Sequence, residues 1–307
     1  MAGVNLFLLG HPVGQSRSPV MQNAALSLLG IDGCYTVLDV PPEDLEQTLG
    51  RLEADPTVLG CNVTVPHKVA AREWLAKRRR PLRPRAKVAQ AVNTLFRGPD
   101  GLFHGDSTDF DGAMDAIQSE GFGNDSASMI QSLPHLDIAI LGSGGSALSI
   151  ATNLVHPWGG VMPASLTIFA RDLAKAQTVA KAACSDRLQA TAMLLDDFRT
   201  WNDGRMSLVI QTTTVGMETG DSPNASPVPS DSLHVGQIAF DLVYKPHDTP
   251  FLIDAARQGA TIVHGIGMLI GQGARSMEHW CATRRLSASF DRLEVVQAMT
   301  GALGVEK

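Results

Sequence analysis

One stretch decides the fold predicted for this chain, Leu136-Asp137-Ile138-Ala139-Ile140-Leu141-Gly142-Ser143-Gly144-Gly145-Ser146-Ala147. Its first six residues are a mostly apolar run that is typical of a buried strand, and an apolar helical pattern continues to Leu154. The glycines between them have the spacing G-x-G-x-x-A, which lets backbone N–H groups approach a pyrophosphate at a helix N-terminus. We therefore predict a Rossmann domain with the cofactor-binding residues Gly142, Ser143, Gly144, Gly145, Ser146 and Ala147.

The composition is that of a soluble globular protein with more than one domain. The chain has 307 residues, of which 44% are hydrophobic and 18% are charged, and this length makes two domains the default expectation. A net charge of −6 argues against a general nucleic-acid binder. The four cysteines are far apart, which makes a zinc site or disulfide framework unexpected and fits a reducing cytoplasm. We see no signal peptide and no run of about 18 apolar residues for a membrane span.

The residues that follow the next predicted strand, Ser165 to Phe169, indicate whether the chain binds NADP or NAD. It runs into Ala170-Arg171-Asp172, with Lys175 three residues further on. An arginine at this position suits a ribose 2′-phosphate, whereas an acid suits a free ribose diol. Arg171 and Lys175 favour NADP, but the negative charge of Asp172 would repel a phosphate, so NAD remains possible.

A second stretch, Gly60-Cys61-Asn62-Val63-Thr64-Val65-Pro66-His67-Lys68, predicts a ligand site in the N-terminal part of the chain. Asn62 and Thr64 alternate with apolar residues, so both would point to one face of a strand. Pro66 ends that strand, and Lys68 follows just beyond it. Ligands of α/β proteins bind at the carboxyl ends of strands. The plainer alternative is an ordinary core strand followed by a solvated lysine.

The sequence of this stretch resembles the signature of the shikimate dehydrogenase family, Asn-Val-Thr-x-Pro-x-Lys. Further motifs of that family occur in this chain in the same order as in the family. The chain departs from these motifs at three places, with Gln90 for a glycine, Ser107 for an asparagine, and Gln211-Thr212 for Asn-Ala. The matching segments are Ser16–Pro19, Ala91–Thr94, Gly105–Gly112, Asp241–Leu252 and Gly265–Ala274.

The resemblance implies a role for each matching residue. Lys68 and Asp109 would be the catalytic pair that handles the proton. The substrate carboxylate would bind Ser16 and Ser18, and the other substrate-binding residues would be Asn62, Thr64, Asn93, Tyr244 and Gln272. The remaining cofactor-binding residues would be Arg171, Asp172, Lys175, Leu242, Gly265 and Met268. Plainer alternatives are helix capping by Ser18 and Asp109, and core packing by Tyr244 and Met268.

The resemblance also implies a two-domain α/β fold, with an N-terminal substrate-binding catalytic domain (1–109 and 264–307) and a Rossmann nicotinamide-dinucleotide domain (110–263). The implied activity is reversible hydride transfer between NADP(H) and 3-dehydroshikimate or shikimate, in aromatic amino-acid biosynthesis. We expect a cytoplasmic monomer or homodimer with no metal, nucleic-acid or membrane partner. Two alternatives are an NAD-using quinate or shikimate dehydrogenase of a side branch, and a non-catalytic dinucleotide-binding regulatory paralogue.

Two segments have no place in this assignment. The basic run Lys77–Arg85 (KRRRPLRPR) predicts a solvated loop, with a nucleic-acid patch as the alternative. The segment 121–134 is rich in Gly, Ser and Asn without periodicity, and it predicts a surface loop.

Overall fold

The computed structural model describes residues 3–122, 131–156, 161–283 and 290–304. The chain divides into two units, one of Met1–Gly112 with Ile270–Lys307 and one of Ala113–Leu269. Each unit is built on one β-sheet, which confirms the predicted α/β class. Most of the predicted loop 121–134 lies outside the described residues. Among the described helices, none combines the length and apolar character that a membrane crossing requires.

The sheet of the first unit has five strands in the order β2-β1-β3-β4-β5. The strands β1, β2 and β3 are parallel, whereas β4 and β5 are antiparallel to their neighbours. The strand bounds are Val4–Gly10 (β1), Gly33–Asp39 (β2), Val58–Val63 (β3), Thr94–Arg97 (β4) and Phe103–Asp106 (β5). The helices of this part are α1 (Ser18–Leu28), α2 (Leu45–Ala54, after a 3-10 turn at Pro42–Asp44), α3 (Lys68–Lys77) and α4 (Pro84–Ala89).

The middle strand β3 is buried along its whole length. It lies between β1 and β4, and an apolar cluster that includes Trp74, Leu75 and Phe103 packs against it. Burial of a side chain of that size stabilises the fold by about 1.5–3 kcal/mol relative to exposure. This core holds the carboxyl end of β3 in a fixed position.

The sheet of the second unit has six parallel strands in the order β11-β10-β9-β6-β7-β8. Numbered within the unit and read from its other edge, this order is 3-2-1-4-5-6, the arrangement of the Rossmann fold. The predicted Rossmann architecture is therefore confirmed. The strands are β6 (Asp137–Leu141), β7 (Ser165–Ala170), β8 (Thr191–Leu194), β9 (Leu208–Gln211), β10 (Ile238–Asp241) and β11 (Thr261–Val263).

Helices connect most of these strands, as is usual for parallel pairing. The exception is the connection from β9 to β10, residues 212–237, which contains turns but no helix. The chain passes from the first unit to the second within α5 (Asp109–Ala116), which continues as a π-helical turn at Ile117–Gly121. It returns to the first unit within α10. The remaining helices are α6 (Gly145–Val155), α7 (Leu173–Ala182), α8 (Phe198–Asn202), α9 (Pro250–Arg257), α10 (Gly265–Thr283) and α11 (Arg292–Leu303), and a 3-10 turn at Leu133–His135 precedes β6.

The basic run contains the solvated loop that its composition predicts, between α3 and α4. Lys77 is the last residue of α3, and α4 begins at Pro84. The guanidinium group of Arg80 bonds both carboxylate oxygens of Glu53, over 3.1 and 2.9 Å. Arg78 pairs with Glu46 and Arg85 with Asp111. The prediction is confirmed between the two helices, where Arg79, Pro81 and Arg83 are exposed. It missed the ion pairs, because the acids that pair with these arginines lie on distant elements.

Candidate active site

Three strand ends meet at one edge of the first sheet. In the antiparallel pairing of β3 with β4, Asn62 lies opposite Thr94, and Thr94 in turn lies opposite Asp106 of β5. The carboxyl end of β3, the start of β4 and the carboxyl end of β5 are therefore neighbours. Helices α3 and α5 begin just beyond this edge. The polar residues of three separate motifs are brought together here.

Lys68 and Asp109 form an ion pair at this edge. The ammonium nitrogen of Lys68 lies 2.5 Å from Oδ2 of Asp109, and the two side chains are 11% and 5% exposed. Lys68 is the first residue of α3, and Asp109 is the first residue of α5. A carboxylate in a first helical turn is stabilised by the helix dipole. The pair combines a proton donor and a fixed anion with little access to solvent.

Asn93 holds the carboxylate of Asp109 from the other side. Its amide nitrogen donates to Oδ1 of Asp109 over 2.7 Å and to the hydroxyl of Thr108 over 3.0 Å. Its amide oxygen accepts from the backbone N–H of Thr108. The side-chain oxygen of Gln272, on α10, lies 3.4 Å from the same amide nitrogen. One carboxylate oxygen of Asp109 therefore bonds Asn93, and the other bonds Lys68.

Asn62 is buried within a dense polar network. Its amide nitrogen donates to the Asn93 carbonyl and to the hydroxyls of Thr94 and Ser276, over 2.9–3.1 Å. Its amide oxygen accepts from the hydroxyl of Tyr35 over 2.9 Å. These contacts position the start of β4, from which Asn93 reaches Asp109.

Tyr35 and Ser276 are two residues of this network that the sequence did not indicate. Burial raises the pKa of Tyr35 well above its ordinary value, and the nearby Ser18 side chain partly opposes that shift. The hydroxyl therefore stays neutral and donates to Asn62. Only two tyrosines occur in the chain, and that scarcity was the one available signal for Tyr35.

The two predicted carboxylate ligands, Ser16 and Ser18, are adjacent at the start of α1. The hydroxyl oxygen of Ser16 accepts the backbone N–H of Ser18 over 3.2 Å. Ser18 is the first residue of the helix rather than its cap, and no side chain caps this end. The prediction of Ser18 as an N-cap is therefore wrong, because the N–H groups of Val20 and Met21, which a capping Ser18 would accept, donate to the Arg17 carbonyl. The remaining predicted ligand of this unit, Thr64, is half-buried just after β3.

The glycine loop of the second unit fits a dinucleotide pyrophosphate. Gly142 has φ +118°, and a Cβ added there would lie 2.4 Å from the hydroxyl of Thr212. A side chain is therefore excluded at this turn. Gly144 is exposed and faces open space, with nothing within 4 Å of an added Cβ. The open backbone leads into α6, whose N-terminal N–H groups can bind an anion.

Arg171 and Asp172 follow β7 as predicted, but they differ in what they contact. Arg171 is exposed. The carboxylate of Asp172 caps α7 by accepting the backbone N–H of Lys175 over 3.1 Å. Its other oxygen lies 3.7 Å from the ammonium group of Lys175. Asp172 is therefore engaged by its own helix.

The other predicted cofactor residues lie at the end of β10 and the start of α10. A Cβ added at Gly265 would lie 2.6 Å from the Leu242 carbonyl oxygen, so this close approach requires glycine. Met268 is buried on the first turn of α10, and Tyr244 is half-buried two residues after Leu242.

Asp241 is a titratable residue of this region that the sequence did not single out as a site. It accepts hydrogen bonds from the Thr249 hydroxyl over 2.6 Å and from the backbone N–H of Val243 over 2.8 Å. Burial raises its pKa to about 7, against these hydrogen bonds and the nearby charge of His264. It holds the turn that carries Tyr244.

Comparison with known proteins places the chain in a family. A profile of the shikimate dehydrogenase substrate binding domain matches residues 8–95. The chain is 33% identical over 286 residues to a shikimate dehydrogenase (NADP(+)) of Shouchella clausii, and the alignment covers 93% of this chain and 96% of that protein. This chain belongs to the shikimate dehydrogenase family.

Solved structures of the family share the fold over nearly the whole chain. The shikimate 5-dehydrogenase of Thermus thermophilus, in complex with NADP(H) and shikimate, is 28% identical with a TM-score of 0.76, and the match covers 97% of this chain and 99% of that chain. The enzyme of Listeria monocytogenes, in complex with shikimate and NAD, is also 28% identical with a TM-score of 0.76, covering 91% and 92%. Both nicotinamide dinucleotides are thus found with members of this family.

Proposed function

We propose that this protein is an oxidoreductase that catalyses reversible hydride transfer between NADP(H) and 3-dehydroshikimate or shikimate, a step of aromatic amino-acid biosynthesis. The observation that carries this proposal is the buried Lys68–Asp109 pair, 2.5 Å apart, in a member of the shikimate dehydrogenase family. The proposed substrate and cofactor are those given in the names of the related proteins. The polar edge of the first sheet supplies groups suited to the substrate, and the glycine loop of the second unit supplies groups suited to the cofactor.

Lys68 and Asp109 are the proposed catalytic pair. The bound nicotinamide supplies or accepts the hydride, so the protein must handle the proton at the substrate oxygen. The ammonium group of Lys68 can donate a proton as that oxygen gains charge and take it back in the oxidative direction. Asp109 cannot move freely, because Asn93 holds its second oxygen. We assign Asp109 to hold Lys68 in position and balance its charge.

Six further residues are proposed to bind the substrate. Ser16 and Ser18 offer two adjacent hydroxyls at a helix N-terminus, which suits a carboxylate. The predicted ligands of the ring hydroxyls are Thr64, Asn93, Gln272 and, from the second unit, Tyr244. Asn62 was predicted as a ligand too, but its amide already has four partners. These contacts support a role in positioning Asn93 and Thr94.

NADP is the proposed cofactor, bound by the second unit. The glycine loop 142–147 would hold the pyrophosphate, and Leu242, Gly265 and Met268 would lie near the nicotinamide. Arg171 is exposed and would bind the 2′-phosphate. The objection raised by Asp172 is weakened, because this carboxylate caps α7 and lies near the ammonium group of Lys175.

The proposal extends to the organisation and location of the protein. We assign substrate binding to the unit of Met1–Gly112 and Ile270–Lys307, and nucleotide binding to Ala113–Leu269. A cytoplasmic location is supported by four cysteines that are all free. A monomer or homodimer is expected, and sedimentation of the purified protein tests that part.

Initial rates test the function directly. Purified protein is assayed by nicotinamide absorbance with shikimate or quinate, each with NADP⁺ or NAD⁺. The proposal predicts the highest kcat/KM for shikimate with NADP⁺. A preference for NAD⁺ or quinate would support the side-branch dehydrogenase, for which the negative charge of Asp172 is the favouring observation. Cofactor binding without turnover of any pair would support the non-catalytic paralogue.

A further inference from the structure

Four side chains of the second unit form a cluster that the proposed reaction does not use: Glu120, His247, Asp248 and His264. Nδ1 of His247 and Nε2 of His264 each lie 3.2 Å from the same oxygen, Oδ1 of Asp248. The two imidazole rings are stacked, with 4.0 Å between their centroids. Two ring nitrogens are therefore directed at one carboxylate oxygen.

We propose that His247, Asp248 and His264 form a binding site for a divalent transition-metal ion such as Zn²⁺. One ligand atom from each residue lies within 4.8 Å of those of the other two. Two imidazole nitrogens and a carboxylate oxygen are a donor set that Zn²⁺ accepts, with a fourth position for water. Ligands bound at about 2.0–2.2 Å around a tetrahedral ion lie about 3.3 Å apart, close to the two 3.2 Å separations.

Glu120 prepares His264 to be a metal ligand. Oε2 of Glu120 accepts hydrogen bonds from Nδ1 of His264 over 3.0 Å and from the backbone N–H of His264 over 2.9 Å. A carboxylate only accepts, so when a metal ion displaces the proton of Nε2, the remaining ring proton is held at Nδ1 and the Nε2 lone pair is available to the ion. A carboxylate behind a metal-bound histidine is the usual way to fix its tautomer and orientation.

The other two ligands have the freedom that metal binding requires. The side chains of His247 and Asp248 are 55% and 63% exposed, whereas His264 is only 17% exposed. The exposed pair can therefore adjust around an ion that is anchored by His264. Such an ion would link the turn after β10, which carries Tyr244, to His264, the residue before Gly265.

Binding of Co²⁺ and Zn²⁺ to tag-free, chelator-treated protein tests the site. A Cys34→Ser background removes an exposed thiol that could bind metal by itself. We expect one Zn²⁺ per chain by calorimetry, and a visible absorption band when Co²⁺ binds. His247→Ala and Asp248→Asn should each weaken binding at least about tenfold, and Glu120→Gln by about 10–100-fold.

His135→Ala is the matched control, since His135 is an exposed histidine of the same unit outside the cluster, and it should leave binding unchanged. Circular dichroism and Tm without metal should match those of wild type for His247→Ala and Asp248→Asn, because both are surface residues. Absence of saturable binding would overturn the proposal. Equal binding by wild type, His247→Ala and Asp248→Asn would overturn it too, because the ion would then be bound elsewhere.

Discussion

The hydroxyl of Tyr35 donates a 2.9 Å hydrogen bond to Oδ1 of Asn62, and both residues are buried. Asn62 in turn bonds the Asn93 carbonyl, and the Asn93 amide bonds Asp109. A continuous set of hydrogen bonds therefore links Tyr35 with the proposed catalytic pair.

Tyr35→Phe tests that link. The change leaves the buried oxygen of Asn62 without its donor, which should cost about 1–3 kcal/mol of unfolding free energy in urea titrations. We expect kcat to fall, because Asn62 positions Asn93, which bonds Asp109. Tyr244→Phe removes the only other tyrosine hydroxyl, on a half-buried residue, and should leave stability nearly unchanged. Wild-type stability and kcat in Tyr35→Phe would show that the contact has no role.

Asp109→Asn tests the carboxylate of the catalytic pair. An asparagine retains an oxygen for the Asn93 bond but removes the charge that faces Lys68, so kcat should fall about 10²–10⁴-fold. Asp111→Asn is the matched control on the same helix, since it removes only the ion pair with Arg85. That control should keep kcat within about twofold, because a partly exposed ion pair contributes only about 1 kcal/mol or less. Equal kcat values for the two variants would refute the assignment.

The local parts of this site were predictable from the sequence. The strand period of Asn62 and Thr64, the stop at Pro66 and the position of Lys68 depend on neighbours in the chain. The glycine spacing of the second unit likewise predicted its turn, because only glycine fits at Gly142.

The non-local parts were not predictable. Tyr35 and Ser276 reach Asn62 from 27 and 214 residues away, and only the sheet order and the packing of α10 bring them there. The ion pairs of the basic run were not predictable for the same reason, because Glu46 and Glu53 lie on α2. The composition of a segment shows its own charges. It does not show which charged residues from other parts of the chain will pair with them in the fold.

Cofactor choice is tested by two adjacent substitutions. Arg171→Ala should raise KM for NADP⁺ about 10–100-fold with little effect on NAD⁺, because it removes a charge-assisted bond to the 2′-phosphate. Asp172→Asn keeps an oxygen that can cap α7 but removes the negative charge, so KM for NADP⁺ should fall. If Arg171→Ala affects both cofactors equally, Arg171 does not bind the phosphate.

Asp241 predicts a pH-dependent stability. Its pKa is raised to about 7 in the folded protein, so the folded state binds its proton more tightly than the unfolded state does. Its contribution to the free energy of unfolding is full below an unfolded pKa of about 3.9 and is lost as pH rises to about 7. Urea titrations in EDTA between pH 5 and 8 should show wild type losing stability relative to Asp241→Asn. A constant difference across that range would contradict the raised pKa.

The most direct test of the account is kcat for shikimate oxidation with NADP⁺, measured for wild type and Lys68→Met. We predict turnover by wild type and a decrease of at least about 100-fold in Lys68→Met, since the variant has no group to take the proton. Lys77→Met, at the exposed far end of the same helix, should behave as wild type. Circular dichroism establishes that all three proteins are folded. Near-normal turnover by folded Lys68→Met, or none by wild type, would contradict the account.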